Sequence, residues 1–193
     1  MKRPALLLIA LILAFSAALT APLPAQADPL FVTAWVDLPV VTRMDTQTLH
    51  FNSDGFILIS ALNGEPVYDG QQINMFWRSL GTYTLVVTAI HNGEVATATA
   101  TFEMIATLES LKGSLAQFCQ QSYINKPSVC RSFQKKLDVM IRLEQQGNKR
   151  MVRGLLRGLA NEITVLSTKG RVPVIFPPVA QILLGDINYI MAH

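Results

Sequence analysis

Three histidines are the residues best suited to acid–base chemistry in this chain of 193 residues, and they are widely separated. His50 falls in a predicted strand, His91 lies beside a predicted turn, and His193 is the last residue. The chain contains no Gly-x-Ser-x-Gly, His-Glu-x-x-His, phosphate-loop or Cys–His signature. A catalytic triad is defined by geometry rather than by sequence, so a cryptic hydrolase or a hydrolase inhibitor stays an alternative. The sequence predicts no enzyme and no cofactor.

Two cysteines, Cys119 and Cys130, are the other reactive pair. Residues 1–27 resemble a signal peptide, and in an exported protein an even, closely spaced pair of cysteines predicts a disulfide. A zinc site needs about four ligands, and no histidine lies near them in the sequence. A redox pair is normally spaced Cys-x-x-Cys. The aspartates next to predicted turns could suggest calcium, but they are also ordinary turn formers. We therefore predict a disulfide and no metal site.

A group of cations gives the best indication of a binding surface. Lys149, Arg150, Arg153 and Arg157 recur at steps of three and four residues along a predicted helix, away from its leucines. Such a surface could hold an anionic polysaccharide of the cell envelope or an acidic protein. Charges on the exposed face of a helix also serve solubility alone, and this alternative stays open. The modest net charge and the predicted export argue against nucleic acid.

Trp35 and Trp77 are candidate exposed aromatic residues. An exposed tryptophan could stack on a sugar ring. Large aromatic side chains in a small β-structure are usually part of its core, so this is the weaker interpretation. Phe76 and Trp77 are adjacent, and on a regular strand they would point to opposite faces.

The first 27 residues resemble a signal peptide. Lys2-Arg3 precedes an apolar run from Ala5 to Leu19, and Ala25-Gln26-Ala27 provides a small-x-small cleavage site. The run is shorter than the roughly 20 residues that span a bilayer. We predict cleavage after Ala27, secretion or a periplasmic location, and no membrane span in the mature chain.

Charge divides the remaining chain into two parts. Residues 28–104 contain eight acidic and two basic residues, a net charge of −6, whereas residues 105–193 have a net charge of +7. Such an asymmetry indicates two units with different surfaces. We predict one domain over 28–104 and a second over 105–193.

The acidic part has the pattern of β-structure. The predicted strands are Leu30 to Val36, Thr48 to Asn52, Phe56 to Ala61 and Gln72 to Phe76, followed by a hairpin from Gly81 to Met104. Asn92-Gly93 is the preferred pair for a two-residue turn, since both positions need a positive φ. The turn places four pairs opposite each other on one face: Ala89 and Ala96, Val87 and Ala98, Leu85 and Ala100, Tyr83 and Phe102.

The basic part has helical periodicity. Four apolar stripes indicate four helices, which together predict an all-α four-helix bundle. Pro127 suits the first turn of the second helix and Gly147 its end. Gly170 could end the third helix, and Pro177-Pro178 could begin the fourth. The overall prediction is an α+β chain of two modules, an N-terminal immunoglobulin-like β-sandwich and this bundle.

Two resemblances support this division. The segment Gly81 to Ala89 with its Asn-Gly turn resembles bacterial Ig-like and PKD-like domains. The end of the chain, Tyr189-Ile190-Met191-Ala192-His193, resembles the FIMAH motif, with tyrosine in place of phenylalanine. Gly147-Asn148-Lys149, Leu155-Leu156 and Lys169-Gly170-Arg171 also look like parts of that family's pattern. FIMAH domains are helical modules of secreted bacterial hydrolases, so the resemblance implies an accessory module without activity of its own.

These observations favour an exported, non-catalytic binding or accessory protein that recognises a partner protein or an anionic envelope polymer. A second hypothesis is a structural or assembly subunit of the envelope, in which a sheet edge pairs with another chain.

Overall fold

The computed structural model describes residues 29–169 and 172–193, in which eight strands are followed by four helices. The strands are β1 Val32–Val36, β2 Val40–Val41, β3 Thr46–Ser53, β4 Phe56–Leu62, β5 Glu65–Pro66, β6 Gln72–Asn74, β7 Gly81–His91 and β8 Glu94–Met104. The helices are α1 Leu108–Gln120, α2 Pro127–Gln145, α3 Lys149–Thr168 and α4 Pro177–Ala192. The predicted leader over 1–27 and the predicted helix end at Gly170 lie outside the described residues.

The hairpin of β7 and β8 has the predicted register. Its turn residues Asn92 and Gly93 have φ values of 50° and 85°, the left-handed conformation that this turn requires. All four predicted pairs are opposite each other, including Tyr83 and Phe102, whose rings stack at 5.1 Å. The alternation of apolar and threonine residues fixed this register, because a slip of one residue would bury the threonines.

Two sheets contain the eight strands. One has three strands in the order β1-β3-β6, and the other has five in the order β2-β8-β7-β4-β5. Most neighbours are antiparallel, but β2 runs parallel to β8. Apolar side chains from both sheets, among them Leu49 of β3 and Leu85 of β7, belong to one buried cluster.

The helices begin and end at the residues that favour these positions. Pro127 and Pro177 each start a helix, and Gly147, with a φ of 75°, follows the end of α2. At the start of α1, Thr107 and Ser110 hydrogen-bond each other's backbone N–H groups in a capping box. Within the described residues, no helix has both the length and the apolar character needed to cross a membrane.

One helical core is formed by the predicted apolar stripes. Leu108, Leu111, Leu115 and Phe118 of α1 are all buried, and they share a cluster with Leu156 of α3, Leu183 of α4 and other residues. The helical spacing of the third apolar stripe also predicts that Leu155 is buried, but this residue is 38% exposed.

Residues from the strand region also enter this helical core. Phe76, which follows β6, is 3% exposed and belongs to the same cluster as the helix residues. Arg43, in the turn between β2 and β3, forms a buried ion pair with Asp186 of α4. The elements on either side of residue 105 therefore share a buried contact.

The predicted fold class is wrong. We expected an immunoglobulin-like β-sandwich and a self-contained four-helix bundle, whereas the chain forms sheets of three and five strands, followed by four helices whose core includes Phe76. Periodicity shows which face of an element is buried, but it does not show which strands share a sheet or which distant residue completes a core. Only the coarser order, strands first and helices second, agrees with the prediction.

Candidate functional site

The four predicted cations of α3 are all exposed. Lys149, Arg150, Arg153 and Arg157 occupy about a quarter of the helix circumference, beside the buried stripe of Val152, Leu156, Leu159 and Ile163. We call these four residues the cationic face. Asn148 positions its start, because the side chain of this N-cap residue accepts a hydrogen bond from the Met151 N–H.

Two cations of the helical region outside the cationic face form ion pairs. Lys112 forms an ion pair with Asp138 at 2.5 Å, and Lys136 forms one with Glu162. In the described part of the chain, no carboxylate lies within 4.0 Å of the four cations. Two of them, Lys149 and Arg150, lie in the first helical turn, where the helix dipole disfavours positive charge by a few tenths of a kcal/mol. An approaching anion would relieve this repulsion.

A small cleft borders this surface where α3 meets the end of α4. Its volume is about 80 Å³, and it is lined by Lys149 and Arg153 together with Glu144, Ile190 and His193. The cleft combines charged groups with an apolar base, so it could take a short anionic group better than a bulky one.

Comparison with known proteins gives no match, since no family model, curated protein or solved structure is significantly similar to this chain. The case for a function therefore depends on the described residues.

The two cysteines, Cys119 and Cys130, lie at disulfide distance, with Cα atoms 6.0 Å apart. The pair joins the end of α1 to the start of α2, as predicted, and is compatible with an oxidising, extracellular location.

Both predicted aromatic residues are half-exposed, Trp35 at 48% and Trp77 at 51%. Trp35 stacks on His50 with ring centroids 5.2 Å apart, and His50 lies 2.9 Å from Asp37. Trp77 contacts other rings in a different part of the fold. The structure therefore does not bring the two tryptophans together in one platform.

Trp77 projects outward because the chain leaves the strand before it. β6 ends at Asn74, whose side-chain oxygen accepts a hydrogen bond from the Phe76 N–H at 2.8 Å. In the turn that follows, Phe76 points into the helical core and Trp77 lies at the surface. Phe76 and Trp77 thus point in different directions, but they do so in a turn and not on the regular strand that the sequence pattern suggested.

Tyr123 lies beside Trp77 and Phe176 beside Tyr123, and the sequence did not predict these positions. The ring of Tyr123 lies 5.7 Å from that of Trp77 and 5.8 Å from that of Phe176, so the three form a continuous row. Both residues lie in connecting segments, where no periodicity indicates which side chain is exposed. The nearby Pro177-Pro178 pair was the only local signal, and it indicated a helix start.

The remaining predicted residues lie in separate places. His91 is exposed beside the hairpin turn, and Nδ1 of His193 lies 3.0 Å from the carbonyl of Tyr189 on the preceding turn of α4. The aspartates near turns accept hydrogen bonds from backbone N–H groups: Asp45 from Thr42, Asp54 from Phe31 and Asp69 from Phe51. The Asp45 contact lies within one turn, as expected of a turn former, whereas Asp54 and Asp69 bind residues 23 and 18 positions away in the sequence.

Proposed function

We propose that this protein is an exported, non-catalytic binding or accessory protein that holds an anionic envelope polymer on the cationic face of α3. An acidic protein surface is the alternative partner for the same four residues. The single observation that carries the proposal is the concentration of four exposed cations on about a quarter of the circumference of α3, with no carboxylate within 4.0 Å of them in the part of the chain that the structure describes. A surface needed only for solubility has no reason to concentrate cations at the N-terminal end of a helix.

The charge of the whole region supports this proposal. Residues 105–193 contain twelve basic and five acidic residues, and three of the acidic ones are engaged by Arg43, Lys112 and Lys136. The remaining excess of positive charge produces a long-range attraction for polyanions that salt screens. The predicted leader and the resemblance to FIMAH modules are consistent with an accessory role outside the cytoplasm.

Binding to immobilised dextran sulfate, with unsulfated dextran as the blank, tests the proposal. The double variant Arg153→Glu plus Arg157→Glu should bind about tenfold more weakly and show a shallower salt dependence. The matched control is Arg131→Glu plus Lys135→Glu, which makes the same change of net charge on exposed positions of α2. If the two double variants lost the same affinity, total charge rather than the cationic face would explain binding. Equal retention of wild type and the α3 variant would refute the proposal.

A second candidate function is that of a structural or assembly subunit, and one observation favours it. β5 pairs only with Ala61 and Leu62 of β4, so the start of β4 lies at the edge of its sheet. Phe56 and Ile59 in that stretch are 72% and 55% exposed. An apolar edge of this kind can pair with another strand.

Light scattering over a range of protein concentrations tests this second candidate. A self-associating wild type should become monomeric on Ile59→Lys, because a charge on the edge opposes strand pairing. A protein that stays monomeric at millimolar concentration would exclude self-assembly through this edge.

A further inference from the structure

A second cleft, far larger than the one beside the cationic face, lies between the strand region and α4. Its volume is about 640 Å³, within the range of about 300–1,000 Å³ typical of small-molecule sites. Trp77 and Arg78 line it on the strand side, and Gln181, Ile182 and Tyr189 line it on α4. We call it the Trp77 cleft. It shares none of its lining residues with the cationic face.

Trp77 packs against three other aromatic rings although about half of its surface is exposed. Its ring makes edge contacts with Phe76 at 5.4 Å, with Phe118 at 5.4 Å and with Tyr123 at 5.7 Å. A buried tryptophan removes about 150–250 Å² of surface from water. A tryptophan with half of its surface exposed therefore contributes less to the stability of the fold. A fixed, exposed ring loses little conformational entropy when a ligand stacks on it.

The buried Arg43 fixes the backbone on both sides of this ring. Its Nη1 donates to the carbonyl of Phe76 at 3.2 Å and to the carbonyl of Arg78. Its Nε donates to both carboxylate oxygens of Asp186 on α4. One guanidinium therefore connects the two sides of the cleft and sets their spacing.

The charges of the cleft are already paired within the protein. Asp186 offsets Arg43, and Glu65 accepts a hydrogen bond from Arg78 Nη1 at 2.6 Å. The Tyr189 hydroxyl donates to Glu103 at 3.2 Å. What the lining offers a ligand is an aromatic ring and uncharged or neutralised hydrogen-bonding groups, including the Gln181 amide. This combination disfavours an anion and suits an uncharged molecule with one apolar face and a rim of hydroxyl groups.

We propose that the Trp77 cleft binds an uncharged sugar residue, with the C–H face of the pyranose ring stacked on Trp77. The hydroxyl groups at the rim of the sugar would meet the side chains of Arg78 and Gln181. The site is distinct from the proposed polyanion surface, and neither proposal depends on the other.

The aromatic row indicates that the ligand is a chain of sugars rather than a monosaccharide. From Trp77 the row continues through Tyr123 to Phe176, which is 49% exposed. A second groove of about 370 Å³, lined by Tyr123, Val172 and Phe176, lies at its far end. An oligosaccharide that stacks on Trp77 could extend along these rings.

The Trp35→Phe variant is the reporter for the test, because the chain has only two tryptophans and its emission then comes from Trp77 alone. The probes are neutral tri- and hexasaccharides of β-1,4-linked glucose and of β-1,4-linked N-acetylglucosamine, with a decaproline peptide as a competing class. We expect a saturable emission shift with at least one sugar, with a Kd of about 1 mM or tighter. No shift with any sugar, or a shift with decaproline alone, would overturn the proposal.

Further variants, measured by calorimetry, locate the binding site. Trp77→Ala should weaken sugar binding at least tenfold, while Trp35→Ala, at an equally exposed tryptophan, should leave it unchanged. Because Trp77→Ala could disturb the fold, Gln181→Tyr provides an independent test: it fills the cleft from an exposed position of α4. Phe176→Ala should weaken only the hexasaccharide. Unchanged affinity in Gln181→Tyr would overturn the proposal, and dextran sulfate binding should be the same in all four variants.

Discussion

The Nε of Arg43 donates hydrogen bonds to both carboxylate oxygens of Asp186, at 2.8 Å to Oδ1 and 2.7 Å to Oδ2. The residues are 143 positions apart in the sequence, and their side chains are 4% and 0% exposed. Each side chain would be costly to bury alone, so the turn after β2 and the middle of α4 stabilise each other's charge. The pair also determines the geometry of the Trp77 cleft, because the same guanidinium binds the backbone of Phe76 and Arg78.

The first prediction concerns the loss of Arg43, the ion-pair partner of Asp186. Arg43→Met should lower the free energy of unfolding at neutral pH by about 3–5 kcal/mol, because it leaves the Asp186 carboxylate buried without a counter-charge. Urea unfolding followed by circular dichroism measures the change. Arg78→Met is the control: its ion pair with Glu65 is partly exposed, so it should cost no more than about 1 kcal/mol. Similar losses in both variants would show that burial does not distinguish the two pairs.

The second prediction concerns pH. Burial raises the pKa of Asp186 above its ordinary 3.8, and Arg43 opposes this rise. Between 3.8 and the higher folded pKa, the folded chain binds more protons than the unfolded chain, so this residue's contribution to stability declines as pH rises through that window. The asparagine side chain of Asp186→Asn does not titrate, so this variant should not show the decline in stability that Asp186 causes. Arg43→Met should steepen it, since the opposing charge is gone.

Unfolding curves of the three proteins, collected from about pH 4 to about pH 8, test this sign. The stability of wild type relative to Asp186→Asn should fall as the pH rises. A difference that stayed constant over the whole range would contradict a raised pKa of Asp186.

Local signals in the sequence predicted the elements well. Asn92-Gly93 fixed the hairpin register, and Pro127, Gly147 and Pro177 marked helix ends, because each acts through the φ angle or hydrogen bonding of its own turn. The exposure of the cationic face also followed from helical spacing alone. These features need no knowledge of distant residues.

The contacts that complete the fold and the large cleft could not be predicted in this way. Arginine and aspartate usually lie at the surface of a protein, so the sequence gives no sign that Arg43 and Asp186 are buried. Each is buried because it pairs with the other, more than a hundred residues away. Phe76 lies in an irregular segment, so no period indicates that it enters the helical core. Likewise, Tyr123 contacts Trp77 and Phe176 contacts Tyr123 only after the helices have packed.

The third prediction concerns the cysteine pair. Closing the short loop between Cys119 and Cys130 restricts the unfolded chain, so Cys119→Ala plus Cys130→Ala should lower the free energy of unfolding by about 3 kcal/mol. Thermal unfolding with and without dithiothreitol measures the effect. The reductant should lower the midpoint of the wild type and leave that of the double variant unchanged. A wild type insensitive to the reductant under unfolding conditions would show that the bond is absent or without effect on stability.

The fourth prediction compares two glycines with opposite requirements. Gly93 has a φ of 85° in the hairpin turn, a conformation that costs a residue with a Cβ about 1–2 kcal/mol, so Gly93→Ala should destabilise the protein by that amount. Gly158 lies inside α3, and an added Cβ would meet nothing within 4 Å. Gly158→Ala should therefore stabilise the protein by about 0.5–1 kcal/mol, because alanine is less flexible in the unfolded chain. Urea unfolding of both variants should show shifts of opposite sign, and a destabilised Gly158→Ala would indicate that α3 is not helical at that residue.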